Sequence, residues 1–148
     1  MQFHRVAIVV AISLLLVGGL AAQTPVQKNA VGHWQVVKEN GATGAEVVTY
    51  LENGKLYGKI TQRDRGADPN GVCSKCSGSL KDQKVLGLIM IRDFVPDGDG
   101  WTGGIVVDPE NGKEYKGKIK AVGNDQLSLR GYIGIPMLGR TQMWKRLQ

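Results

Sequence analysis

What most constrains this chain is a series of short segments in which apolar and polar residues alternate. Each is bounded by turn residues, and no stretch keeps a helical period for about ten residues. The segments run in order as GHWQVV from Gly32, AEVVTYL from Ala45, KLYGKITQ from Lys55, KVLGLIMI from Lys84, WTGGIVV from Trp101, EYKGKIKA from Glu114, QLSLRGY from Gln126 and TQMWKRL from Thr141. Asn53-Gly54 and Asn111-Gly112 supply the positive φ angles of tight hairpins, Asp97-Gly98-Asp99-Gly100 a slightly longer turn, and Gly123-Asn124-Asp125 another. Links this short make sequential strands antiparallel neighbours.

Glycines inside these segments sharpen the fold class. Gly58, Gly87, Gly103, Gly104, Gly117 and Gly131 stand where a flat sheet loses stability, by about 0.5–1 kcal/mol each relative to Ala. Their use is at bends that let a sheet curl and close. Eight short antiparallel strands with bend glycines predict an all-β, eight-stranded antiparallel up-and-down barrel, with a sandwich as the alternative. Glycines that point inward also remove volume from the interior, which predicts space beside Gly58 or Gly117. The segments NGKLYGKI and NGKEYKGKI differ by one residue between Tyr and Gly, so Tyr57 and Tyr115 are expected on opposite faces.

The amino terminus reads as an export signal. His4 and Arg5 precede the apolar run VAIVVAISLLLV and the small residues GGLAA, the pattern of a secretory signal peptide over residues 1–22. The apolar run is shorter than the roughly 20 residues of a spanning helix, so no stable membrane insertion is expected after cleavage near Ala22. Gln23 stands where a lipoprotein carries Cys. Residues 23–30 form a polar leader, and residues 31–148 a single barrel domain, exported to the periplasm or beyond. The net charge of +6 is a modest basic surplus that suits solubility and weak attraction to anionic surfaces.

Little in the mature chain reads as catalytic machinery. His33 is its one imidazole and Cys73 and Cys76 its only thiols, too few for the four ligands of a structural zinc site. No metal or other cofactor is implied. The pair in PNGVCSKCSGS lacks the following helix of a thioredoxin-like motif, although Lys75 could favour a thiolate, which leaves a redox role open. In an oxidising compartment the default for Cys73 and Cys76 is a disulfide that staples their loop. The DGDG stretch lacks the spacing of a calcium loop. Lys116, Lys118 and Lys120 alternate onto one face with no interleaved aromatics, which marks a solvated outer face or a guarded edge with no nucleic-acid signature.

Taken together, GHW, NGKLYGKI, CSKC, WTGGIVVDPENGKEYKGKI, LRGYIG and GRTQMWKR resemble the bacterial secreted family of the domain of unknown function 2147. The resemblance covers essentially the whole mature chain and implies a calycin-like, that is lipocalin-like, barrel, with no activity attached. It further implies that Gly32, Trp34 and Arg146 close the barrel floor by a cation–π contact, with Arg140 as the alternative partner of the indole. The dense stretch RGYIGIPMLGRTQMW suggests a mouth or floor where Arg130, Tyr132 and Arg140 anchor a ligand beside Trp144, and Trp34 is a further candidate contact. The leading expectation is a small apolar or amphipathic ligand held in the barrel. A non-catalytic envelope interaction module and an enzyme, redox through the cysteine pair or isomerase-like in the barrel, are the alternatives.

Overall fold

The computed structural model describes residues 29–148; the expected signal peptide and most of the expected leader lie outside the described residues. Eight strands form one closed antiparallel barrel in sequence order. They are β1 (Gly32–Val37), β2 (Thr43–Glu52), β3 (Lys55–Gln62), β4 (Ile89–Asp97), β5 (Gly100–Val107), β6 (Glu114–Val122), β7 (Gln126–Tyr132) and β8 (Arg140–Arg146). Pairing of β1 with β8 through Trp34–Arg146 and Gln35–Lys145 completes the ring, so no sheet edge is left open to solvent. The sandwich alternative is thereby excluded.

Alternation sets the faces. On β3, Leu56, Gly58 and Ile60 are buried while Tyr57 turns outward; on β6, Gly117, Ile119 and Ala121 are buried while Lys116, Lys118 and Lys120 are exposed. Tyr57 stacks on Tyr50 outside the barrel, ring centroids 5.9 Å apart, whereas Tyr115, in phase with Gly117, borders the interior cavity. The one-residue insertion thus places the two tyrosines on opposite faces. The lysine row is an outer face of a closed sheet rather than a guarded edge.

Three local expectations need correction. The fourth strand begins at Ile89 and not at Lys84: Gly87, at φ 89°, breaks the extended run, and Lys84 pairs only in an isolated bridge with Val72. Asn53-Gly54 is a two-residue turn with both φ angles positive, but around Asn111 only Gly112 is so. There Asp108 accepts the Glu110 backbone N–H at 2.8 Å and the Asn111 side-chain amide at 2.8 Å, which builds a longer loop over residues 108–113. Asp97 pairs with Gly100 across a two-residue turn, Gly98-Asp99, shorter than its sequence suggests.

The space expected beside the glycines is occupied. A Cβ on Gly117 would lie 2.5 Å from Phe94 Cζ, one on Gly104 2.1 Å from Phe94 Cδ2, and one on Gly58 2.9 Å from Ile91 Cδ1. These glycines leave room for large side chains from β4, and Phe94 and Ile91 are fully buried. At the end of the barrel that carries the β2–β3, β4–β5 and β6–β7 turns, the interior is filled by Trp34, Phe94, Trp101, Leu56 and Leu127, all buried. A fully buried aromatic side chain removes 150–250 Å² from water (roughly, by type), so this floor is the main apolar store of the fold.

Candidate functional site: a half-open barrel

The floor is closed by a polar device. The Arg146 guanidinium lies 4.2 Å from the Trp34 ring centroid, and it donates to the carbonyls of Val31 at 3.1 Å and Asn124 at 2.6 Å and to that of Asn29. Gly32 permits this approach, since a Cβ there would stand 2.1 Å from Arg146 Nη1. Trp34 Nε1 donates to Thr49 Oγ1 at 2.8 Å, and that hydroxyl donates to the Ala30 carbonyl at 2.6 Å. The indole is therefore sealed between Arg146 and Thr49, and Trp34 is not among the residues that line the cavity.

Above this floor the barrel is open. A cavity of about 820 Å³ reaches from mid-barrel to the end that carries the other four connections, and every strand contributes to its wall. Val36, Ala45, Ile60 and Met90 come from β1 to β4; Val106, Tyr115, Leu129 and Trp144 come from β5 to β8. The rim is charged. Lys38 bridges Asp64, with which it forms a short ion pair, and Glu110 at 3.0 Å, so a single ammonium ties the β1–β2, β3–β4 and β5–β6 loops together. Hydrogen bonding to Asp64 and then to Glu110 raises the Lys38 pKa above the ordinary lysine value, so the tie stays charged through neutral pH. Arg140 pairs with Glu39 at 3.0 Å on the same rim.

The sequence-level candidates separate on this geometry. Tyr132, Arg140 and Trp144 border the cavity. Arg130 does not: it lies on the outer face of β7 and donates to the Pro136 carbonyl at 2.8 Å, to Thr141 Oγ1 at 2.9 Å and to the Met137 carbonyl at 3.3 Å. It shapes the β7–β8 connection. His33 also faces outward, 2.9 Å from Glu46. Among the described residues no cluster of His, Cys, Asp and Glu could hold a metal ion. The sequence does not reveal the pairing of Lys38 with Asp64 and Glu110, because the three lie on separate loops. Tyr115 carried a readable signal, the insertion that shifts it inward.

Cys73 and Cys76 form a disulfide, and its setting exceeds that of a surface staple. Both residues are buried and belong to the core cluster with Val85 and Leu88. The Lys75 carbonyl lies 1.9 Å from where a Cβ on Gly112 would stand, so the stapled loop presses directly on the β5–β6 loop. Thiol–disulfide exchange needs access for the attacking thiolate, and here the bridge is covered. The disulfide fixes a wall beside the mouth: the 63–88 connection contributes Arg63, Asp64, Ala67 and Val85 to the cavity.

No curated protein matches the chain. Among solved structures, protein HP1028 from the human pathogen Helicobacter pylori, described as belonging to the lipocalin family, is similar at a TM-score of 0.71. It is 21% identical, and the match covers 80% of this chain and 83% of that one; identity this low shows a shared barrel fold. Among the described residues no helix is long and apolar enough to cross a membrane. The model of the family described as uncharacterized proteins conserved in bacteria (DUF2147) matches residues 32–146, from the first residue of β1 to the last of β8, and the chain belongs to that family.

Proposed function

We propose that this protein is an exported, non-catalytic carrier that holds one small amphipathic molecule in the open half of its barrel. The observation that carries the reading is the cavity itself: about 820 Å³, within the range of roughly 300–1,000 Å³ typical of small-molecule sites. It is apolar at its base and charged at its rim. The apolar part of the ligand lies against Ile60, Met90, Val106, Leu129 and Trp144, and its polar end reaches the rim beside Lys38, Arg63 and Arg140. Removing about 300 Å² of apolar ligand surface from water contributes about 7 kcal/mol, of which association takes back at least about 4 kcal/mol, so binding tighter than about millimolar requires the polar contacts at the rim as well. Export to the periplasm follows from the amino-terminal signal pattern and belongs to the same proposal.

The test is titration with a medium-chain fatty acid and with a lipophilic fluorescent probe, read by tryptophan emission. Trp144 borders the cavity while Trp34 and Trp101 do not, so the response is expected from Trp144 and is expected to disappear in Trp144→Phe. Ala45→Phe fills the cavity from β2 and is expected to weaken binding by about tenfold or more without lowering the melting temperature. Native mass spectrometry of protein from its natural compartment is expected to show one retained small molecule per chain. A folded protein with no probe uptake and no retained mass would overturn the proposal.

A further inference from the structure

The β7–β8 connection carries an apolar tip, of which Ile135 and Met137 lie outside the cavity wall. Met137 is 84% exposed, Leu138 77%, Ile133 63% and Ile135 53%, all within six residues around the short 3-10 turn Pro136–Leu138. Isolated apolar residues on a surface need no explanation, but a contiguous cluster does. The tip is rigidly held: the Ile135 carbonyl accepts the Leu138 N–H at 3.2 Å, the Pro136 carbonyl accepts the Gly139 N–H at 3.1 Å, and Arg130 donates to the Pro136 and Met137 carbonyls. The carbonyls of Ile135, Pro136 and Met137 are thus paired before the tip meets any partner, which lowers the cost of leaving water.

We propose that this tip is a peripheral docking site for an anionic phospholipid surface. Charge complementarity favours that partner. In the strand register Lys116 stands opposite Tyr132 and Lys118 opposite Arg130, so three cations flank the tip on the outer face, and both lysines are exposed. The geometry agrees, because a small convex tip on one turn suits the headgroup–acyl boundary. A stable protein interface takes roughly 800 Å² per partner, more than one such turn presents. The described chain starts at the opposite end of the barrel, where Asn29 meets Asn124. Ile133 and Leu138 also border the cavity mouth, so docking would set the mouth against the bilayer. Docking itself does not depend on the cavity being loaded.

Co-sedimentation of the full chain with vesicles of phosphatidylethanolamine and phosphatidylglycerol, against vesicles of phosphatidylcholine alone, tests this. Binding is expected to the anionic vesicles and to weaken as salt shortens the screening length. Ile135→Asp with Met137→Asp, both outside the cavity wall, is expected to reduce partitioning by at least about tenfold, and Lys116→Gln and Lys118→Gln by about fivefold each. Unchanged melting curves and unchanged probe titration in solution show that these variants stay folded with the cavity intact. Absence of vesicle binding, or binding indifferent to the tip and to the lysines, overturns the proposal. So does a self-associated state, or a stoichiometric protein complex, that Met137→Asp disperses while vesicle binding persists.

Discussion

Gly117→Ala adds a single methyl group to the barrel interior at a position where the backbone tolerates it, since Gly117 is not among the positive-φ glycines. Two opposing terms decide the outcome. Relief of the glycine entropy cost favours Ala by about 0.5–1 kcal/mol. Against it, the new Cβ would lie 2.5 Å from Phe94 Cζ, 3.0 Å from Cε1 and 3.2 Å from Val106 Cγ2, distances that force the ring to move within a closed wall. Overpacking of this kind typically costs about 1–3 kcal/mol, so net destabilisation of about 0.5–2 kcal/mol is expected. Phe94→Leu removes the ring and leaves part of its volume empty, which is destabilising alone. With Ala at 117 the methyl group refills some of that space, and the double variant is expected to be more stable than the sum of the singles predicts, by about 0.5 kcal/mol or more. Urea unfolding followed by tryptophan emission measures all four proteins. Additive effects, or a Gly117→Ala protein more stable than wild type, would refute the argument that these glycines exist to admit Phe94.

Two further outcomes follow from the loops and the outer face. Replacing Cys73 and Cys76 together with Ser removes a short ring worth about 2 kcal/mol by loop entropy and places two hydroxyls in the buried cluster, each costing about 1 kcal/mol or more if unpaired. A loss of about 3–4 kcal/mol in chemical denaturation is expected, together with faster amide exchange in residues 63–88 and 108–113; a loss confined to the entropic part would show that the sulfurs' burial contributes nothing. On the outer face, Tyr57 donates to Asp93 at 2.8 Å and Lys55 to the same oxygen at 3.1 Å. These bonds, that from Tyr57 first, hold the Asp93 pKa below the ordinary carboxylate value, and Asp93 in turn raises that of Tyr57. The contribution from Asp93 is present above the ordinary aspartate pKa and fades as pH falls through the lowered folded value; that from Tyr57 fades as pH rises through its raised one. Asp93→Asn keeps a side chain that tolerates the φ of 60° found there and is expected to move Tyr57 ionisation to lower pH in tyrosinate absorbance titrations. An unchanged titration would remove Asp93 as the cause.

The strands, their order and their inward and outward faces are legible in the sequence because they rest on short-range rules. Alternation relates residues two apart, and turns such as Asn53-Gly54 are set by the residues within them. The opposite facing of Tyr57 and Tyr115 follows from counting one insertion. What the glycines are for depends on closure instead: Gly117 on β6 and Gly104 on β5 meet the same Phe94 ring from β4, and only the staggered register of the barrel brings the three together. The same holds for the site. Arg130 and Arg140 look equivalent along the chain, yet the first is directed to the outer face and the second to the rim. The Lys38, Asp64 and Glu110 tie joins loops separated by whole strands. Periodicity sorts residues into faces, whereas the floor, the mouth and the contacts across the barrel exist only after β8 has closed on β1, because side chains from distant strands become neighbours at that step.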